Sequence, residues 1–317
     1  MSAIPQDLKA AIDLYLAENN AGSLVEKTTR MSERYRQGRG SDSAVDFGAY
    51  LVARLPATYA AVEFCLAEFA DRRPQFLPQT LLDAGSGPGT ASWAAISAYP
   101  GISTVTFLDN NLPFLNLARS LAAQSGHSAL QGAKARHADV GNLPREAPAE
   151  LVIAAYALAE LPLAKAREIA NALWQACENN LLVIEPGTPQ GFARIHEVRV
   201  ALLAEGAHLV APCTHMNACP MQPPDWCHFS VRLARRRDHM HAKKATVPFE
   251  DEKFSYLIAA RQPGALQGAR ILSPPAESKA EIMFKLCAEN GLVQQSIARR
   301  DKAEYKRVRK LEWGGLF

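Results

Sequence analysis

The sequence of 317 residues lacks an apolar run long enough to cross a bilayer, and it does not open with a charged start followed by an apolar run. Those absences argue against a membrane protein and against a targeting segment, so we expect a cytoplasmic location. Cytoplasmic thiols are kept reduced. The six cysteines therefore favour metal binding or burial over disulfides.

Internal repeats and low-complexity tracts are also missing, which leaves an ordinary globular enzyme-like chain. Residues 1–75 carry helical apolar stripes. From about residue 78, short apolar runs that end in acidic or small residues alternate with helical segments, and this alternation predicts a parallel sheet covered on both faces. The apolar runs are TLLDAG, STVTFLDN, ELVIAAYAL and NNLLVIEPG.

Regular patterning weakens after Gly191, although a helix over FARIHEVRVALLAEG is clear. The stretch VPFEDEKFSYLIAAR ends in a strand-like run that returns to the sheet, and we predict a helix over Lys279 to Glu289. The expected divisions are a helical region (1–75), a cofactor domain (76–200), a cysteine-rich insertion (201–245) and a C-terminal segment (246–317).

The glycine-rich stretch LLDAGSGPGT follows a strand and opens a helix. Its spacing is G-x-G-x-G and lacks the G-x-G-x-x-G of a dinucleotide fingerprint. With an acid ending the next strand, the loop resembles motif I of the class I S-adenosylmethionine-dependent methyltransferases. That resemblance implies a Rossmann-like α/β sheet and a set of cofactor-binding residues. These are Asp83, Gly85, Gly87, Gly89, Asp109 and Asp139.

The Asn/Asp-Pro-Pro-aromatic motif of many base methyltransferases is absent, and AAYALAELP stands in its place. No catalytic residue can be named. Tyr156 and Glu160 could face the bound cofactor, while strand-end packing and a helix cap explain them equally well. Methyl transfer by positioning alone is still open.

Three cysteines lie close together in APCTHMNACPMQPPDWCHF, and Cys287 lies downstream in KLCAENG. Neither the C-x2-C spacing of zinc fingers nor a ferredoxin spacing is present, so spacing alone predicts a thiolate metal site, with zinc or an iron–sulfur cluster both open. Cys65 and Cys177 lie within helical apolar stripes and are expected to be core thiols.

Several fragments, including EPGTPQGF, APCTHMNACPM, DWCHFSVRLAR and the ending WGGLF, resemble the mitochondrial small-subunit ribosome assembly family of methyltransferase-like proteins and its bacterial relatives. The resemblance runs from about Tyr35, in RYRQGRG, to the C-terminus. It implies a [4Fe–4S] cluster in the cysteine-rich insertion. The implied ligands are Cys213, Cys219, Cys227 and Cys287. His215 and His228 would then lie beside the cluster, or bind zinc in its absence.

The net charge is only +3, and the basic charge is concentrated in two runs, Arg232 to Lys244 and Arg299 to Lys310. Each run can be a solvated face or a phosphate-binding surface. With the resemblance, they predict binding to small-subunit rRNA by a monomer, with His239 and His241 in the basic face. The expected RNA-binding residues are Arg232, Arg235, Arg236, Arg237, Lys243, Lys244, Arg299, Arg300, Lys306, Arg307, Arg309 and Lys310.

Three functions are left open by these observations. The first is an S-adenosylmethionine-binding methyltransferase that acts on the ribosomal small subunit. The second is a non-catalytic iron–sulfur assembly factor that uses the methyltransferase fold as an RNA platform. The third is a zinc-stabilised methyltransferase of a small molecule or protein.

Overall fold

The computed structural model describes residues 3–19, 46–143, 148–235, 240 and 246–317. Its helices are α1 (Gln6–Glu18), α2 (Phe47–Ala53), α3 (Leu55–Arg72), α4 (Thr90–Ala98), α5 (Leu112–Ala122), α6 (Ser128–Gln131), α7 (Ala166–Gln175), α8 (Pro189–Ala204) and α9 (Lys302–Val308). Short 3-10 turns cover Leu158–Glu160 and Leu163–Lys165. Within these described ranges, no helix has the length and apolarity that a membrane crossing needs.

Eight strands form the main sheet, in the order β3-β2-β1-β4-β5-β8-β6, and β7 pairs with β8. They are β1 (Thr80–Ala84), β2 (Thr104–Asp109), β3 (Lys134–His137), β4 (Ala149–Ala155), β5 (Cys177–Pro186), β6 (His208–Ala211), β7 (Phe229–Ala234) and β8 (Phe249–Ala260). The first five are parallel, as expected from the alternation. Strand β8 is antiparallel to its three partners β5, β6 and β7, so the sheet is mixed.

Apolar side chains cover both faces of this sheet, and alternate residues of one strand enter different cores. On β5, Leu182 and Ile184 pack with α1 to α5, whereas Leu181 and Val183 pack with α7 and α8. This explains why β5 reads as a continuous apolar run, and it confirms the expected α/β layering.

A second sheet of four short strands contains β9 (Arg270–Ile271), β10 (Ala276–Glu277), β11 (Glu281–Ala288) and β12 (Gly291–Ala298). The helix predicted over Lys279 to Glu289 is wrong, because β11 and β12 form an antiparallel hairpin there. Good helix-forming residues suggested the helix, but Ile282, Phe284 and Leu286 alternate onto one buried face, and packing overrides propensity.

The two isolated cysteines are buried in the apolar cores, as predicted. Cys65 lies on α3. Cys177 was assigned to a helix, but α7 ends at Gln175 and Cys177 begins β5. Burial raises the pKa of Cys177 to about 12 and that of Cys65 well above its ordinary value, so both thiols stay neutral.

Candidate functional site

The glycine loop between β1 and α4 has a backbone that only glycine adopts easily, since φ is +71° at Gly85, +51° at Gly87 and +81° at Gly89. A Cβ atom on Gly85 would lie 2.5 Å from the Cβ of Ala157. A Cβ on Gly89 would lie 3.0 Å from the Phe107 ring. The loop therefore packs closely against Ala157 through Gly85 and against Phe107 on β2 through Gly89.

Two buried carboxylates fix this loop. Asp109 accepts hydrogen bonds from the backbone N–H of Gly87 (2.7 Å) and of Asn111 (2.8 Å). Asp83 lies beneath the loop, where its carboxylate accepts from the N–H (3.0 Å) and hydroxyl (2.8 Å) of Ser92. Burial raises the pKa of Asp83 to about 7, although the Ser92 hydrogen bonds oppose the shift. Asp83 thus holds the start of α4 in place.

A cavity opens at the carboxyl ends of β1, β2 and β4, the edge where open α/β sheets bind ligands. Four of the six predicted cofactor residues line it: Gly85, Gly87, Asp109 and Asp139. Tyr156 and Glu160 also line it, so both face the cavity. Asp83 and Gly89 are not in its wall and support the loop from behind. Tyr50, Arg54 and Phe114 complete the wall and were not predicted.

Tyr156 has an unusual backbone conformation for a non-glycine residue, with φ of +61° at the cavity edge. Its hydroxyl donates to Oε1 of Glu252 (2.8 Å), and Arg54 binds the same oxygen (2.9 Å). The Arg54 guanidinium lies 4.2 Å from the Tyr156 ring centroid. Burial, together with Glu252, raises the phenol pKa well above its ordinary value. The phenol is therefore a neutral donor and no base.

Glu185 supports the opposite wall of the cavity. It is fully buried at the end of β5, and its Oε1 accepts from the backbone N–H of Leu158 at 3.0 Å. Burial raises its pKa to about 8, despite the nearby positive charge of Arg194. Its second oxygen, Oε2, has no hydrogen-bond partner among the described residues. The sequence contained this acid in EPGTPQGF, but nothing local indicated its role.

The four predicted ligand cysteines line a second cavity, where Cys287 joins the three cysteines of the segment from Cys213 to Cys227. Cys213 and Cys219 follow β6, Cys227 precedes β7, and Cys287 lies on β11. All are free thiols. Burial, then the neighbouring thiols, raises the pKa of Cys287 to about 12 and that of Cys227 well above its ordinary value. Four partly buried thiols in one cavity form a donor set suited to a metal group.

The fit to a metal can be tested on the spacing of these donors. A single zinc ion needs its ligands gathered about one point, at about 2.3 Å for sulfur. Within the part of the chain that the structure describes, no three His, Cys, Asp or Glu side chains gather closely enough to hold one ion. The four cysteines are brought together only as residues that line one cavity. Nε2 of His215 lies 3.5 Å from Sγ of Cys287, beside the cavity.

The basic runs are partly neutralised by ion pairs. These join Arg232 to Asp251, Arg235 to Glu250, Arg299 to Glu277 and Arg307 to Glu304. Four other cations have no ion pair with a described residue: Arg300, Lys306, Arg309 and Lys310. The predicted residues Arg236, Arg237, Lys243 and Lys244, together with His239, His241 and the segment RYRQGRG, lie outside the described residues.

The segments next to the two basic runs meet. Nε1 of Trp313, just beyond the second run, donates to the carbonyl oxygen of His228 at 3.1 Å, shortly before the first run. The His228 ring also packs edge-on against Trp313. Nothing in the sequence alone indicated this contact.

Comparison with known proteins gives a family match over most of the chain. The model for the mitochondrial small ribosomal subunit protein Rsm22 matches residues 44–317. The human ribosome assembly protein METTL17, mitochondrial, is 30% identical over 84% of this chain and 61% of its own length. Rsm22-cox11 tandem protein 2, mitochondrial, from Schizosaccharomyces pombe is 23% identical, covering 85% of this chain and 42% of its own.

Among solved structures, the magnesium protoporphyrin IX methyltransferase (ChlM) from Synechocystis PCC 6803 with bound SAM is similar. It has 15% identity and a TM-score of 0.45, and the match covers 83% of this chain and 100% of that one. The structure of this chain is itself an α/β fold with a mixed sheet and a glycine loop after its first strand.

These matches correct one expectation. The cytoplasmic location is wrong, because the family and the curated relatives are described as mitochondrial. The chain spans about three fifths of the human relative and about two fifths of the yeast one. Because the family match covers all of the sequence after residue 43, the chain belongs to the Rsm22 family of mitochondrial small ribosomal subunit proteins.

Proposed function

We propose that this chain is an assembly protein of the small ribosomal subunit that binds S-adenosylmethionine in one cavity and an iron–sulfur cluster in the other. The observation that carries the proposal is that Cys287 lines the same cavity as Cys213, Cys219 and Cys227, from which it is distant in the sequence. Family membership supplies the ribosomal part, since the human relative is described as a ribosome assembly protein.

The glycine-loop cavity supports the S-adenosylmethionine part. Gly85 lines the cavity where the methionine end of the cofactor would lie, and Asp109 and Asp139 suit its ribose and adenine. When bound, the cofactor would supply an electrophilic methyl group. Asp109 holds the glycine loop and Asp83 holds the start of α4, both by hydrogen bonds, and Tyr156 and Glu160 form part of the cavity wall.

The cysteine cavity supports the iron–sulfur part of the proposal. Four thiolates are the usual ligand set of a [4Fe–4S] cluster. On this proposal, Cys213, Cys219, Cys227 and Cys287 are the ligands.

The proposed RNA-binding residues are the basic side chains that form no ion pair with a described residue. Arg300, Lys306, Arg309 and Lys310 lie in or beside α9, where they can meet phosphates without first breaking an ion pair. Arg232, Arg235, Arg299 and Arg307 are weaker candidates, since each already binds a carboxylate. The monomeric state stays a prediction.

A second candidate, cofactor binding without methyl transfer, is favoured by Tyr156. Where many base methyltransferases carry their Asn/Asp-Pro-Pro-aromatic motif, this chain has a tyrosine whose hydroxyl is engaged by Glu252. That hydrogen bond commits the hydroxyl proton to Glu252, so it is not offered to a substrate.

Sedimentation with purified precursor small subunits tests the proposal. The full chain should sediment with the subunit, with binding that weakens steeply as salt rises. Transfer of labelled methyl groups in the same mixture would favour the enzyme, and binding without transfer would favour the assembly factor. Failure to bind the subunit at low salt would reject the proposed function.

A further inference from the structure

Arg199 is a buried positive charge in the wall of the cysteine cavity. It lies on α8 with only 4% of its surface exposed, between core residues such as Val198 and Leu202. Its Nη2 donates to the carbonyl oxygens of His215 and Asn217. No carboxylate pairs with it among the described residues, and its buried Nε has no hydrogen-bond partner there.

A buried charge without a counter-charge is costly, so natural proteins pair such groups or bind a ligand to them. Arg270, the other arginine that lines the cavity, pairs with Glu68 through its Nη2. Arg199 lines the same cavity as Cys219 and Cys287, and no Asp or Glu side chain of the described residues lines it.

Four thiolates bound to a metal group carry net negative charge, which supplies the counter-charge that the folded chain lacks. We propose that Arg199 is the charge-compensating residue of the four-thiol cavity, and that it makes the cavity specific for an anionic thiolate-bound cluster. This inference rests on the proposed function. It adds that the cluster is held by an electrostatic contact as well as by its four ligands.

The proposal predicts that the charge of Arg199 stabilises the protein that is loaded with the cluster and does not stabilise the metal-free protein. In the loaded protein, Arg199→Gln removes the counter-charge but keeps a hydrogen-bond donor, so iron should be lost to a chelator about ten to a hundred times faster. In the metal-free protein, the same change removes an uncompensated buried charge, so the melting temperature should stay equal or rise. Arg199→Lys keeps the charge and should restore iron retention.

Arg261→Gln is the matched control. Arg261 also donates to backbone carbonyls, those of Trp174 and Cys177, and lies 3.8 Å from the Trp174 ring centroid, outside the cysteine cavity. Its loss should lower the stability of loaded and metal-free protein alike. Arg261→Gln should leave the midpoint potential of the cluster unchanged. Arg199→Gln should lower that potential, because a nearby positive charge favours the reduced cluster.

The full chain is purified without air, and each variant is measured loaded and after removal of iron. Equal destabilisation of both forms by Arg199→Gln, or no restoration by Arg199→Lys, would overturn the role of Arg199 while leaving the cluster in place. A wild-type protein with neither iron nor sulfide would overturn the cluster itself, and this inference with it.

Discussion

Arg270 and Glu68 form an ion pair that joins the C-terminal sheet to α3, with 2.7 Å between Nη2 and Oε1. Arg270 is 1% exposed, and its other nitrogens donate to the carbonyl oxygens of Pro212 and Gly314. Burial favours a higher pKa for the Glu68 carboxyl, but Arg270 and Arg72 hold this pKa below its ordinary value. One side chain thus connects α3, the cysteine-rich segment, β9 and the C-terminus.

Replacing this arginine should therefore be costly. Arg270→Met removes a positive charge beside the Glu68 carboxylate and leaves two carbonyl groups without their hydrogen-bond donor. We therefore expect a loss of about 3–5 kcal/mol in the free energy of unfolding. Urea unfolding measures this loss. Arg299→Met, which breaks an exposed pair with Glu277, should cost less than about 1 kcal/mol. Similar losses for both variants would contradict this role of Arg270.

Gly85→Ala should weaken S-adenosylmethionine binding by more than about tenfold, because the added Cβ would meet Ala157 at 2.5 Å. Calorimetry on the full chain measures the affinity. Gly206→Ala is the matched control, since Gly206 has a similar φ of +76° but nothing within 4 Å of the added Cβ. It should cost stability without affecting affinity. An unchanged affinity in Gly85→Ala would show that the cofactor does not bind in this cavity.

Serine substitutions should separate ligand cysteines from core cysteines. Cys213→Ser, Cys219→Ser, Cys227→Ser and Cys287→Ser should each lose most iron and much stability, because metal-binding energy in such a segment is folding energy. Cys65→Ser and Cys177→Ser should keep full iron, since both thiols lie in the apolar cores. Iron kept by Cys287→Ser and lost by Cys177→Ser would show that the ligand assignment is wrong.

Glu185 should make stability depend on pH. The unfolded carboxyl loses its proton near 4.5 and the folded one near 8, so the native state binds the extra proton between these values. The contribution of Glu185 to stability is present below about pH 4.5 and is lost as the pH rises to about 8, by at most about 1.4 kcal/mol per unit. Glu185→Gln lacks this slope. Urea unfolding at several pH values compares the stability of the unaltered chain with that of Glu185→Gln. Parallel plots of stability against pH would contradict the claim that the buried carboxyl is protonated.

Charge removal on α9 should reduce binding to the small subunit. Lys306→Gln with Arg309→Gln removes two cations that form no ion pair in the described residues, so affinity should fall and the salt dependence should become shallower by about two phosphate contacts. Arg299→Gln with Arg307→Gln removes two paired cations and should have a smaller effect. Equal effects of the two pairs, measured by sedimentation at several salt concentrations, would show that only net charge matters.

The cofactor loop was predictable because its signal is local: three glycines, a strand before them and a helix after them. The main sheet was predictable for the same reason, from the apolar runs of β1, β2, β4 and β5. Strand β11 was assigned wrongly because Glu, Lys, Leu and Ala favour a helix locally, and only its pairing with β12 makes it a strand.

The side chains that complete both cavities could not be predicted from local patterns. Arg54 meets Glu252 across 198 residues, and Arg270 meets Glu68 across 202. Arg199 reads as one more polar residue on an amphipathic helix. Such contacts depend on the order of strands in the sheet, which brings distant segments to the same edge.

The central claim is that Cys213, Cys219, Cys227 and Cys287 hold one iron–sulfur cluster in a small-subunit assembly protein. Iron and acid-labile sulfide analysis of the full chain, purified without air, tests it most directly. We predict about four iron atoms and four sulfides per chain. A preparation that contains about one zinc atom and no sulfide, or no metal at all, would contradict the claim.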